Sequence, residues 1–338
     1  MKQPILKLMK KIQKKRPEIT ESSLHTYLTS LRMLYTQYVD GDEEKLKKPL
    51  SSKFLHDFNG IKKLLDTCKT KNTCKNRLTA ILVGLDAEKK RRDQNLIDKY
   101  QALLKDVMVD VNAQIESQEM NRKQSKNWLE LDDVKSVTNK LLELINEKNL
   151  WKKEKLSKSE YGLIQKYVLL RWYLAYPIRN NVADTAVISQ SEYDSLANTT
   201  KDNNNYLIRE DGNYIFKLNK YKNVKRLGKK SYDINPQITK LLNKWFKINK
   251  SGFMFTLTDA RTPLNPNGIT KVLQSIFTEF ADGKKISTSM LRHIQISDDL
   301  KDEPTIAEQK AKAKRIQDKY NHSVATNTTY RKIESKEN

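Results

Sequence analysis

Along the N-terminal third, apolar residues recur three and four places apart: Leu24, Tyr27, Leu28, Leu31, Leu34, Tyr35 and Tyr38. That spacing marks one face of a helix, and Ser22-Ser23 supplies a start signal. A second apolar segment runs Phe54, Leu55, Phe58, Ile61, Leu64 and Leu65, and a third Leu78, Ile81, Leu82 and Leu85. From Glu88 to Gln124 the pattern thins to Ile97, Leu104, Val107, Val111 and Ile115 among many charges, without proline or glycine. Sparse apolar positions and no breaker predict a long exposed linker helix rather than a packed element or a flexible tether. The boundary is expected near its end, before Trp128. The division is then 1–88 for a helical domain with an N-terminal arm, 89–125 for the charged linker helix and 126–338 for a second domain.

The second domain reads as mixed. A helix carries Leu163, Tyr167, Leu170 and Leu174 until Pro177 stops it, because proline cannot donate to the helical ladder. A polar loop covers Asn198 to Asn205. Tyr206-Leu207-Ile208 and Tyr214 to Leu218 then flank Asp211-Gly212, a strong hairpin signal. A third short strand is expected at Ser231 to Ile234. Pro236 opens a helix with Ile238, Leu241, Leu242, Trp245 and Ile248 on one face, and Val272, Ile276 and Phe280 mark another. Thr305 and Glu308 have capping-box spacing for one more. The predicted fold class is mainly α with a small antiparallel β-sheet, without internal repeats.

Charge changes the picture. The 338 residues hold 64 Lys and Arg against 41 Asp and Glu, a formal net charge of +23. Lysines are spread along the whole length, which suits a protein that wraps a polyanion. A lysine-rich protein from an AT-rich genome is the plainer explanation of the same composition. No apolar run reaches the roughly 20 residues needed to cross a bilayer, and Met1-Lys2-Gln3-Pro4 does not open a secretory signal. The two cysteines, Cys68 and Cys74, lack a second pair, so two reduced thiols in a reducing, intracellular compartment are expected instead of a zinc site. Asp298, Asp299, Asp302 and Glu303 cluster, but near-consecutive residues of one helix do not converge on an ion. No GxxxxGK[ST] loop is present for a nucleotide. Neither a metal nor any other cofactor is expected.

The candidate chemistry lies between Arg179 and Tyr330. Arg179 sits in Ala175-Tyr176-Pro177-Ile178-Arg179-Asn180-Asn181 and Arg292 in Ser289-Met290-Leu291-Arg292-His293. His322 follows in Asn321-His322-Ser323, with Tyr330 the one tyrosine after it. Attack on a phosphodiester concentrates negative charge on the non-bridging oxygens. Two arginines answer that charge with planar forks of permanently charged donors, and losing one such preorganised donor typically adds about 3 kcal/mol to a barrier.

This order of residues resembles the tyrosine recombinase (phage-type integrase) family. The resemblance implies a helical core DNA-binding domain and an α+β catalytic domain that form a clamp around double-stranded DNA. It implies cleavage and rejoining of strands through a 3′-phosphotyrosyl bond and a free 5′-hydroxyl, without metal or ATP. Arg179 and Arg292 match the two family arginines, His322 the histidine of the box before the nucleophile, and Tyr330 the nucleophile itself. Lys222, after the second strand, best fits the general acid that protonates the leaving oxygen, with Lys220, Lys225, Lys229 and Lys230 crowded around it. Three residues before Arg292 the family usually has histidine and this chain has Ser289. A hydroxyl still hydrogen-bonds phosphate but carries no charge, so either Ser289 substitutes or His293 supplies the function. The acidic residue common three places after the first arginine is replaced by Val182, with Asp184 nearby. A homotetramer on paired sites is the implied assembly, and the lysine- and asparagine-rich character resembles a virus or mobile element, in host cytoplasm or nucleus.

A type IB topoisomerase resembles the same residue set, and the eight residues after Tyr330 leave little chain for exchange between protomers. A DNA-binding relative without catalysis fits the Ser289 substitution. An RNA-binding protein would be expected to show an aromatic-rich signature, which is missing.

Overall fold

The structure, a computed structural model, describes residues 6–87 and 93–320. It divides into two units, one holding the described residues up to Glu119 together with those from Pro304 onward, the other Met120–Glu303.

The first unit is helical. Its elements are α1 (Leu6–Lys15), α2 (Glu21–Tyr38), α3 (Glu43–Lys47), α4 (Phe58–Asp66), α5 (Lys71–Asp86) and α6 (Gln94–Glu116). Thr20, Asp42, Asp57, Thr70 and Asp93 each accept a backbone N–H with a side-chain oxygen at a helix start, satisfying donors that have no intrahelical partner. Leu24, Leu28, Leu31 and Leu34 of α2 bury against Ile61 and Leu65 of α4 and Leu78, Ile81 and Leu85 of α5. Gly84 permits the close approach at this seam, since a Cβ there would lie 3.3 Å from both Leu31 Cδ1 and Leu55 Cδ1.

The structure corrects the expected spacer. The charged segment does form a long helix, α6, but its N-terminal half is not exposed. Leu96, Ile97 and the fully buried Tyr100 join the first core, and the Tyr100 hydroxyl donates to Leu55 O at 2.8 Å. Leu103, Leu104 and Val107 pack against the same core and Val111 is buried further along, so one apolar stripe docks the helix while its charged residues face away. The division between the two units falls after Glu119, just beyond the end of this helix.

The second unit begins with α7 (Arg122–Asn127), α8 (Leu131–Glu147) and α9 (Lys158–Ala175). Helix α9 is its axis. Tyr161, Ile164, Tyr167, Val168, Leu169, Leu170, Trp172 and Tyr173 are all buried, so the helix is enclosed on most sides. A capping box between Ser157 and Glu160 starts it, and it ends two residues before Pro177. Buried Gln165 is bonded at both ends of its amide: it donates to Thr256 O at 2.8 Å and accepts from Thr256 N at 2.9 Å.

Next come β1 (Ala186–Ser189), α10 (Gln190–Ser195), α11 (Asn198–Asp202), β2 (Tyr206–Glu210), β3 (Asn213–Leu218), α12 (Val224–Leu227) and β4 (Lys230–Asp233). The predicted hairpin and third strand are present as β2, β3 and β4, antiparallel in that order. Asp211 and Gly212 both take positive φ, 46° and 78°, as a two-residue turn matched to strand twist requires. The sheet differs from the expected antiparallel one in being mixed. Strand β1 adds on the far edge, parallel to β2, with Val187 opposite Leu207. Its four residues give no alternation to read, and a parallel pairing through a crossover is non-local.

Three helices close the unit: α13 (Pro236–Ile248), α14 (Pro266–Phe280) and α15 (Thr288–Asp299). Ile238, Leu242, Trp245, Ile269, Leu273, Ile276, Leu291 and Ile294 complete the core around α9. The last described helix, α16 (Ile306–Tyr320), groups with the first unit. Thr305 and Glu308 cap it reciprocally, and Ile306 N donates to Gln118 Oε1 at 2.8 Å while Lys310 pairs with Glu116 at 2.7 Å.

Candidate phosphate-binding site

The site grows out of the end of α9. Pro177 forces the chain out of the helix, and Arg179 stands in extended backbone before a short 3-10 turn, Asn180–Val182. The buried Tyr173 reaches forward, its hydroxyl donating to Arg179 O at 3.2 Å. Asn180 then fastens the turn to two helix starts. Its amide donates to Pro266 O at 2.7 Å and Thr270 Oγ1 at 2.9 Å on α14, and its oxygen accepts from Thr288 Oγ1 at 2.6 Å on α15. Buried Gln295 ties α15 back to α9 by donating to Tyr173 O at 3.0 Å.

These bonds bring the two predicted arginines together. Arg179 is exposed and Arg292 half-buried. The Arg292 guanidinium is less basic than usual, first through burial and then through the like charge of Arg179, with the Tyr173 phenol acting oppositely. Burial in turn pushes the Tyr173 phenol well up, opposed by Arg292. Arg292 Nη1 is buried without a hydrogen-bond partner, and among the described residues neither arginine has an ion pair. A desolvated donor beside a second cation is costly unless an anion completes it. This arrangement is suited to a phosphate or similar oxyanion.

Ser289 lies one turn before Arg292 on α15, three residues away and therefore on the same side; both Ser289 and His293 are exposed. Asp184 does not pair with either arginine. Burial raises its carboxyl pKa, and its cationic neighbour is Lys220. Lys222 is exposed in the connection after β3. Of the lysines around it, Lys229 pairs with Asp202, and Lys220 is held through its backbone.

That hold comes from Asn205, a buried residue absent from the sequence-based set. Its oxygen accepts from Asn219 N at 3.0 Å and Lys220 N at 2.8 Å. Its amide donates to Lys220 O at 3.1 Å and Asn181 O at 2.9 Å. One side chain thus joins the arginine turn to the strand exit that leads to Lys222. Tyr173, Asn180, Thr288 and Gln295 were missed likewise. Asn180 follows Arg179 directly and Thr288 directly precedes Ser289, which are the local signals they give.

His322 and Tyr330 lie outside the described residues. Among the described residues, no three or more His, Cys, Asp or Glu side chains are placed to hold a metal ion, and no helix is long and apolar enough to cross a membrane. No protein-family model matches the chain, and no curated protein matches it.

Proposed function

We propose that this protein is a site-specific DNA recombinase or integrase that cuts and rejoins double-stranded DNA without metal or ATP. The observation that carries the reading is the pairing of Arg179 with Arg292, whose buried Nη1 lacks an acceptor. In this reaction both guanidinium groups bind the non-bridging oxygens of one phosphodiester, and Ser289 adds a neutral donor beside Arg292. The Tyr330 oxygen attacks phosphorus as its proton leaves, assisted by His322, and the O–P bond to the 5′-oxygen breaks. Lys222 gives that oxygen a proton. The product is a 3′-phosphotyrosyl bond and a 5′-hydroxyl, so the reverse attack reseals the strand with no added energy. Recombination further requires four protomers on paired sites.

The reading is tested with nicked duplexes, carrying either the DNA that borders the gene or random sequence, in EDTA. Wild type and Tyr330→Phe are quenched in denaturant and scored for protein attached to DNA. An adduct confined to wild type is the expected result. Retained binding with no wild-type adduct on any duplex would sink the enzyme reading and leave a DNA-binding protein. Relaxed circles without exchanged strands from two-site DNA would identify a type IB-like topoisomerase instead.

A further inference from the structure

The least ordinary polar group of the second unit is the buried side chain of Asn205. It ends a run of three asparagines, and its two neighbours have local jobs: Asn203 and Asn204 donate back to Thr199 O and Thr200 O at 2.8 and 3.1 Å. Asn205 is buried and spends both amide protons and its oxygen on distant backbone. Three of its four bonds go to the Asn219–Lys220 exit of β3, and the fourth to Asn181 O, two residues after Arg179. The exit is braced from its other side, since Asn219 Nδ2 donates to Lys201 O at 2.9 Å. Lys222 follows two residues later, exposed and without a partner among the described residues.

An amide is the one uncharged side chain that gives two protons and accepts two from opposite ends of a rigid plane. Standing directly before β2, the central neighbour of β1 and β3, Asn205 therefore fixes the spacing of the turn before β1 and the exit of β3, where the strand ladder has ended. We infer that Asn205 is a positioning residue that sets where the Lys222 turn stands relative to the Arg179 turn. Resting on the strand-cleavage reading above, it assigns Asn205 to delivery of the proton that the leaving 5′-oxygen takes from Lys222. It touches neither DNA nor the reacting atoms.

The test compares two nicked duplexes, identical except that the bridging 5′-oxygen at the cleaved phosphate is replaced by sulfur in one. A thiolate is a far weaker base than an alkoxide and leaves without a protein proton. Single-turnover rates of adduct formation are measured for wild type, N205A, K222A and the double variant, with folding checked by tryptophan fluorescence. On the oxygen duplex N205A should be slowed roughly 10- to 100-fold, the range for a displaced proton donor. On the sulfur duplex it should approach wild type. The double variant should be no slower than K222A alone, because both changes remove one effect.

An N205A rate depressed equally on both duplexes, or multiplicative losses in the double variant, would overturn the inference; so would an unchanged rate on oxygen. Should N205A not fold, N205S takes its place. Its hydroxyl is uncharged and fills part of the space but is too short to bond both segments, so a slowing of the same kind is expected. No adduct from wild type on either duplex would reject the strand-cleavage reading itself, and this inference with it.

Discussion

Tyr100→Ala separates a docked α6 from a spacer helix. Tyr100 is fully buried, its ring packs edge-on against Phe58 with centroids 5.1 Å apart, and its hydroxyl donates to Leu55 O. Truncation removes a whole buried ring and leaves a cavity, which costs about 3–5 kcal/mol in a packed core. Tyr100→Phe keeps the ring and strands only the Leu55 carbonyl, a loss of about 1–2 kcal/mol. The protein carries its own reporter for where the loss falls. All four tryptophans, Trp128, Trp151, Trp172 and Trp245, lie in the second unit, whereas far-ultraviolet circular dichroism sees helices of both. In urea, Y100A should therefore move the dichroism transition to lower concentration while the tryptophan transition stays put. Y100F should lie between. Coincident, unshifted transitions in Y100A would refute the docking of α6 and restore the exposed spacer.

Two further outcomes are expected. Arg179→Ala removes the like charge beside half-buried Arg292, so it should stabilise the second unit by about 0.5 kcal/mol at low salt after screening, and by less at high salt. Thermal melts at two ionic strengths check this, with Lys140→Ala on α8 correcting for the general loss of one positive charge; equal shifts in both variants would count against the arginine pair. Glu160 is held at a pKa of about 2, below its usual 4.5, chiefly by hydrogen bonding from Lys153 and then from Ser157. A depressed carboxylate stabilises the fold above its unfolded pKa and loses that contribution as pH falls through the folded value. The stability gap between wild type and Glu160→Gln, followed by tryptophan fluorescence, should be full above pH 4.5 and close toward pH 2.

What the sequence determined by itself was everything encoded within about one helical turn. Pro177 ends α9, Pro236 opens α13, Thr305 and Glu308 start α16, and Asp211-Gly212 turns the hairpin, each through residues that touch their near neighbours. The two arginines were also legible, as residue types in recognisable surroundings. Their convergence was not, because Arg179 and Arg292 meet only after α9, α14 and α15 pack and Asn180 bonds across them. Tertiary structure alone decided that β1 pairs parallel with β2, since four residues have no periodicity to read. It alone decided that α6 is docked, since a thin apolar stripe on a polar helix is buried only where another surface meets it. The asparagines at 203, 204 and 205 make the distinction plainest: identical side chains in sequence, two bonded within their own helix end and one buried, bonded to the arginine turn and to the exit of β3. A residue's chemistry is written in the sequence, but the partners of a buried polar group are fixed only when desolvation forces each one to be satisfied.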